Sequence, residues 1–256
     1  MKLGVLVISH GSRESQWVSL VDQAVDAVKQ LIGDRLLVEV AFLELVEGRL
    51  IQDGIHRLEA AGVEHILAIP LFVSSGSTHV DEIGWALGAY AHAATDTDLE
   101  RFNVSVKLSY GQPMDDAPEI VDIIMDRLQQ LSTNAQQECI LLVGHGSKET
   151  GFRQAWERGI ASLVSKIVAK GGYSDGIGAL LQLEEVRQRW SELHEKWPKH
   201  EIIVIPMFLS EGYFTNSVIP QQISGLACAY NGCTYMPHPR IVDWIVRQCN
   251  DWQVAE

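Results

Sequence analysis

His10 and His145 each open a His-Gly-Ser triplet just past an apolar run, in "VISHGSRES" (7–15) and "LVGHGSKET" (142–150). An imidazole at the tip of a strand can ligate a transition metal or exchange a proton near neutral pH. Two more residues of the first half sit at comparable places, Glu44 in "AFLEL" and His79 in "SSGSTH". Two imidazoles and a carboxylate suit Fe(II), Co(II), Ni(II) or Zn(II) and leave coordination positions open, as chemistry or metal transfer requires. The plainer alternatives are that each histidine is a hydrogen-bonded loop residue and that Glu44 caps a helix or pairs with Arg49.

For His10, Glu44 and His79 to meet, the ends of three strands must meet. Periodicity predicts strands at about 3–8, 36–43, 65–73 and 102–111. Between them lie a helix with Trp17, Val21, Ala24, Val25, Val28, Leu31 and Ile32 on one face, a helix at about 50–60 closed by Gly62, and a helix from about 80. Strand and helix in alternation is the rhythm of a parallel sheet. Such sheets bind ligands outside the carboxyl ends of their strands, where strand order reverses. With the order 2-1-3-4, the first and third strands are neighbours, so His10 faces His79 with Glu44 beside them.

The pattern then repeats. His10 and His145 are 135 apart, and "IPLFVSSG" (69–76) and "IPMFLSEG" (205–212) are 136 apart. "PEIVDII" (118–124) and "PRIVDWI" (239–245) are only 121 apart, which places a lost loop late in the second copy. The expected architecture is α/β, two similar flavodoxin-like lobes, each with a mainly four-stranded parallel sheet flanked by helices. The lobes are expected at 1–133 and 134–256, joined near "STNAQQE" (132–138), with one continuous sheet as the alternative. By alignment the second copy keeps His145 but sets Thr215 against His79 and Gln182 against Glu44, one ligand of three.

With 33 acidic against 20 basic residues and a net charge of −13, the chain lacks the basic surface of a nucleic-acid or anionic-membrane binder. No apolar stretch approaches the roughly 20 residues of a membrane span, and no cleavage site follows "LGVLVI", so a cytoplasmic protein is expected. Cys139, Cys228, Cys233 and Cys249 read as ordinary reduced thiols. P-loop, dinucleotide and nucleophile-elbow motifs are absent. A histidine phosphatase would use His10 as phosphoryl acceptor, but Ser9 stands where that class has arginine.

The stretches "SHGSR" (9–13), "FLEL" (42–45), "AAGVEHILAIPLFVSSGSTHVDEI" (60–83) and "SYGQPMDDAPEIV" (109–121) together resemble the class II tetrapyrrole chelatases, specifically the sirohydrochlorin chelatases. The resemblance spans the whole first lobe in order and the second more loosely. It implies two lobes facing across a cleft that holds the macrocycle, His10 and His79 as catalytic and metal-binding residues, and Glu44 as their acidic partner. The metal is substrate, ferrous iron or cobalt, and no permanently bound cofactor is implied. Iron is favoured because some long cobalt-associated members carry a His-rich tail and an iron–sulfur segment, whereas this chain ends at "DWQVAE". Since one chain encodes both lobes, a monomer is expected to suffice.

Insertion replaces two pyrrole N–H protons with one divalent ion, and a neutral imidazole can act as ligand and as base. Candidate contacts to the polycarboxylate substrate are Ser12, Arg13, Ser75, Gly76, Ser77, His145 and Tyr213, with Lys148, Arg153 and Phe214 nearby. The rival of another class is a carrier that uses the same histidines to hold a metal or tetrapyrrole without turnover.

Overall fold

The computed structural model describes residues 2–255. The chain forms two compact units, one made of Met1–Met114 and Ile241–Glu256, the other of Asp115–Arg240.

The first unit is built on four parallel strands, β1 (Leu3–Ser9), β2 (Leu37–Phe42), β3 (His65–Pro70) and β4 (Lys107–Tyr110), in the order β2-β1-β3-β4. The order expected from sequence is the order found. Helices α1 (Ser15–Ile32), α2 (Ile51–Ala60) and α3 (Thr78–Ala86) connect them. Leu6 and Ile8 of β1 pack with Ile51, Ile55 and Leu58 of α2 and Val80 and Ile83 of α3. On α1 the buried stripe is Val21, Val25, Val28 and Ile32. Leu31, expected on that face, is exposed, because it falls a residue outside the i, i+4, i+7, i+11 row. Gly62 ends α2 with φ +79°, and its N–H donates to the Glu59 carbonyl.

The last strand is shorter than the expected 102–111. Phe102, Val104 and Val106 still turn inward at period two. The N–H groups of Asn103 and Ser105, however, donate to the side chains of Gln52 and Glu59 on α2 rather than to a neighbouring strand. This stretch is extended without belonging to the sheet.

The second unit repeats the scheme with β5 (Glu138–Gly144), β6 (Asp175–Leu180) and β7 (Glu201–Met207) in the order β6-β5-β7. Its helices are α4 (Pro118–Gln129), α5 (Thr150–Gly171), α6 (Val186–Lys196) and α7 (Ile219–Ile223), the last preceded by a π-helical turn at Phe214–Val218. A fourth strand is reduced to one bridge, Ala229 to Ile203, so this sheet has three strands where the first has four. The shortening falls where the repeat spacing places the lost loop.

The compact units do not coincide with the 1–133 and 134–256 halves of the repeat. Helix α4 ties to the second unit, with ion pairs from Asp122 to Lys170 and Arg240. Helix α8 (Pro239–Ala255) belongs almost wholly to the first unit, burying Ile241, Trp244, Ile245, Cys249 and Trp252. Trp252 meets His65 of β3 edge-on at 4.8 Å between ring centroids, and the Gln248 side chain accepts the N–H of Gln112. No helix among the described residues is long and apolar enough to cross a membrane.

Candidate functional site

The pairing of β1 with its neighbours continues past the strand ends, and this positions the polar residues. Beyond β2, the N–H of Leu43 donates to Ser9 and that of Glu44 to His10 at 3.0 Å. On the other side, the N–H of Leu71 donates to Ile8 and directs the chain into the loop that precedes α3. Gly11, at φ +103°, lies so close to this extension that an added Cβ would stand 2.0 Å from the Glu44 carbonyl oxygen. Only glycine fits there, and the close approach holds Glu44 beside His10.

His10 and His79 face each other edge to face, with ring centroids 4.8 Å apart and planes at 68°. Glu44 Oε1 lies 3.6 Å from His10 Nε2. The pair of histidines and the carboxylate expected from sequence are thus brought together at the carboxyl end of one sheet. Among the described residues, no three His, Cys, Asp or Glu side chains converge as a ready-made metal cage. The arrangement is an open pair of imidazoles with a carboxylate in reach, on a loop where Glu44 is half exposed.

The outer ring nitrogens are already committed. His10 Nδ1 lies 3.1 Å from the Gly11 carbonyl oxygen and His79 Nδ1 lies 2.5 Å from Glu82 Oε1. A carbonyl or carboxylate oxygen accepts and cannot donate, so in the neutral ring each Nδ1 carries the proton and each Nε2 presents a lone pair. His10 Nε2 and Glu44 Oε1 are then two acceptors side by side. A cation between them relieves that opposition, and a transition metal ion suits the donor set.

Glu82 was not among the residues expected from sequence. The signal was available: His79 and Glu82 stand i, i+3 on the first turns of a predicted helix, a spacing that brings side chains together. Glu82 is further held by the hydroxyl of Thr97, which donates to Oε2 at 2.7 Å. Orientation of a ligating histidine by a carboxylate on its far nitrogen is a recurring arrangement around metals.

The second unit shows what the same scaffold becomes without these donors. His145 Nδ1 bonds the Gly146 carbonyl at 3.0 Å, and the Gln182 N–H donates to the His145 carbonyl, as Glu44 does to His10. The Gln182 side-chain amide nitrogen lies 3.4 Å from His145 Nε2, so a donor stands where the first unit has a carboxylate. The ring opposite His145 is Phe214, at 5.0 Å and 87°, and Phe214 stacks on Phe208 as His79 tilts against Phe72. The residue in the place of His79 is therefore Phe214, rather than the Thr215 given by alignment. The π-helical turn shifts the chain by one residue, and Thr215 is buried with its hydroxyl on the Gly212 carbonyl.

The anion-binding residues expected from sequence divide unevenly. The N–H of Gly76 donates to the Ser74 hydroxyl and that of Ser77 to the Ser74 carbonyl, so these two amides serve the turn itself. Ser12 Oγ accepts the N–H of Glu14. Arg13, Ser75 and Lys148 are exposed. Arg153 pairs along its own helix with Glu157 at 2.8 Å, which raises its pKa and spends its charge locally. Tyr213 is exposed and touches Phe214.

The CbiX family model matches residues 4–131 and, a second time, residues 139–251. This chain belongs to the CbiX family. A curated sirohydrochlorin ferrochelatase of Bacillus subtilis is 27% identical to this CbiX chain over 173 residues, which is 66% of the chain and 60% of that relative's length. A curated sirohydrochlorin cobaltochelatase of Methanopyrus kandleri is 26% identical over 139 residues, 50% of the chain and 96% of the relative. Among solved structures, SirB from Bacillus subtilis with Fe3+ matches with a TM-score of 0.76 over 98% of this chain and 95% of that one, at 21% identity, and so shares the fold. The doubled match of the family model and the half-length relative agree with the internal repeat.

Proposed function

We propose that this CbiX chain inserts a divalent metal, with ferrous iron as its principal substrate, into sirohydrochlorin. The observation that carries the reading is the facing pair His10 and His79, each with Nδ1 bound to an oxygen and Nε2 available, beside Glu44. In this reading His10, His79 and Glu44 hold the ion while it loses water. As each pyrrole nitrogen exchanges its proton for the metal, an imidazole Nε2 accepts the proton. A closed four-ligand cage would retain the metal, whereas an open site releases it to the macrocycle.

Iron is supported by the extent of similarity. The relatives that reach into both repeats, matching 66% and 84% of the chain, are ferrochelatases, while the cobaltochelatase is a half-length protein matched over 96% of its own length. The second unit serves as scaffold rather than as a second metal site, since His145 meets Gln182 and Phe214 in place of a carboxylate and an imidazole. Both repeats lie in one chain, so a monomer suffices. The four free cysteines suit a reducing cytoplasm.

The deciding experiment is anaerobic absorbance of sirohydrochlorin with Fe(II) or Co(II) and catalytic amounts of protein. Insertion faster than the blank is expected, with His10→Ala and His79→Ala each lowering the rate by about 100-fold or more and His145→Ala retaining most of it. Stoichiometric binding without turnover would instead establish a metal or tetrapyrrole carrier. A faster rate with Co(II) than with Fe(II) would overturn the choice of metal.

A further inference from the structure

The loop between α3 and β4 has no helix or strand from Leu87 to Val106, yet it is fastened to α3 at specific points. Asp81 Oδ2 accepts the N–H of Ala94 at 2.7 Å. Glu82 Oε2 accepts the Thr97 hydroxyl at 2.7 Å, and Thr97 Oγ1 in turn accepts the N–H of Leu99. Arg101 lies over the Trp85 ring and donates to the Trp85, Tyr90 and Ala91 carbonyls. Of these fastenings, only the one through Glu82 reaches His79.

We infer that Glu82 and Thr97 are positioning residues for His79: the loop holds Glu82 through Thr97, and Glu82 fixes the tautomer and rotation of the imidazole so that Nε2 faces His10. A carboxylate with one oxygen on a ring N–H and the other on a hydroxyl has little freedom to rotate. Without that second bond, Glu82 could turn to solvent, and His79 could place its proton on Nε2, where it would block the metal.

The second repeat supports the assignment. Its spacing from 205–212 to 239–245 is too short to contain this loop, so it has no counterpart of Thr97. It has also replaced the imidazole with Phe214, a ring that needs no tautomer. Loop and histidine are present together in one copy and absent together in the other.

The inference rests on the reading of His79 as a metal-binding residue, and its test avoids turnover. Full-length, metal-free protein labelled with 15N-histidine reports which nitrogen of His79 carries the proton, and Co(II) titration by visible absorption reports affinity. We expect Nδ1–H in the wild type and in Glu82→Gln, whose amide oxygen can still accept. In Glu82→Ala the proton moves to Nε2 and Co(II) affinity falls about 10- to 100-fold. Thr97→Val shows a smaller loss of about three- to tenfold, below the range for partners that touch the ligand directly, because it acts through Glu82.

Asp81→Asn weakens the loop at Ala94 without touching His79, and both signals are expected to stay at wild-type values. The inference is overturned if Glu82→Ala keeps Nδ1–H and an affinity within about threefold of wild type, which is below the usual effect of an outer partner. It is equally overturned if Asp81→Asn reproduces the Glu82→Ala loss. Should Glu82→Ala fail to fold, an unchanged Thr97→Val overturns it. Failure of the proposed function would appear as absent insertion with the His79 tautomer unaltered, a separate result.

Discussion

Phe214 lies edge-on to His145 with ring centroids 5.0 Å apart, the relation that His79 has to His10 in the other copy of the repeat. A hydrocarbon ring fills the same space and offers no lone pair. The second unit therefore preserves the ring-to-ring arrangement with a phenyl group in place of the second imidazole.

That relation can be reversed by substitution. Phe214→His combined with Gln182→Glu restores an imidazole and a carboxylate around His145, and Co(II) binding measured by calorimetry should rise from one equivalent to two. Thr215→His, the change suggested by alignment, should add no site and should destabilise the chain, since Thr215 is 2% exposed and bonded to Gly212. One equivalent in the double variant and two in Thr215→His would reverse the register assigned to the π-helical turn.

Gly11→Ala tests the packing that holds Glu44 beside His10. Its Cβ would meet the Glu44 carbonyl at 2.0 Å from a backbone at φ +103°. The unfolding free energy should fall by about 2 kcal/mol or more, and Co(II) affinity should fall with it. Gly146→Ala, whose Cβ would meet the Leu180 side chain rather than backbone, should leave Co(II) affinity within about twofold, since outer partners of a metal ligand cost tenfold or more. Urea unfolding and Co(II) titration of both variants check this.

Glu138 gives the second unit a predictable response to acid. It is buried at the start of β5 and gathers the preceding turn, accepting the N–H groups of Thr133 and Asn134 at 2.6 and 2.8 Å and the Ser132 hydroxyl. Burial opposes its charge, but those hydrogen bonds from Asn134, Ser132 and Thr133 outweigh it and hold the pKa below the usual 4.5. A depressed folded pKa stabilises above the unfolded value and loses that contribution as pH falls through the folded one. Glu138→Gln should therefore cost about 1–3 kcal/mol at pH 7, and its gap from wild type should close as pH drops below about 4. Urea titrations across that range would show it.

Cys139 and Cys249 are buried, and burial pushes their thiols up to about 11 and about 12. A thiol reagent at pH 8 should label no more than Cys228 and Cys233 in the native chain, and all four after denaturation. Rapid labelling of Cys249 without denaturant would mean that α8 detaches from its unit.

Much of the candidate site's geometry could be read from sequence because it follows from strand topology. Once the order 2-1-3-4 was inferred, the residues after the first three strands had to converge, and His10, Glu44 and His79 do. Glu82 was within reach through its helical spacing to His79. Thr97 was not, since nothing local in "AATDTDLE" marks a hydroxyl that will bond a helix fifteen residues earlier. The place of Phe214 was hidden for another reason: a one-residue bulge in helical winding leaves alignment offsets untouched while moving a side chain to a new position. The exchange of terminal helices was hidden as well, because an amphipathic pattern shows that a helix has a face to bury, but not which sheet receives it.

Helix α8 also sets the order in which this molecule can be completed. The sheet of the first unit leaves the ribosome early, but the helix carrying Trp244 and Trp252 follows only after the whole of Asp115–Arg240. At roughly 5–20 residues per second, translation of that insert keeps the His65 face of the nascent sheet waiting on the order of ten seconds. The half of the chain that carries His10 and His79 begins to fold first and finishes last.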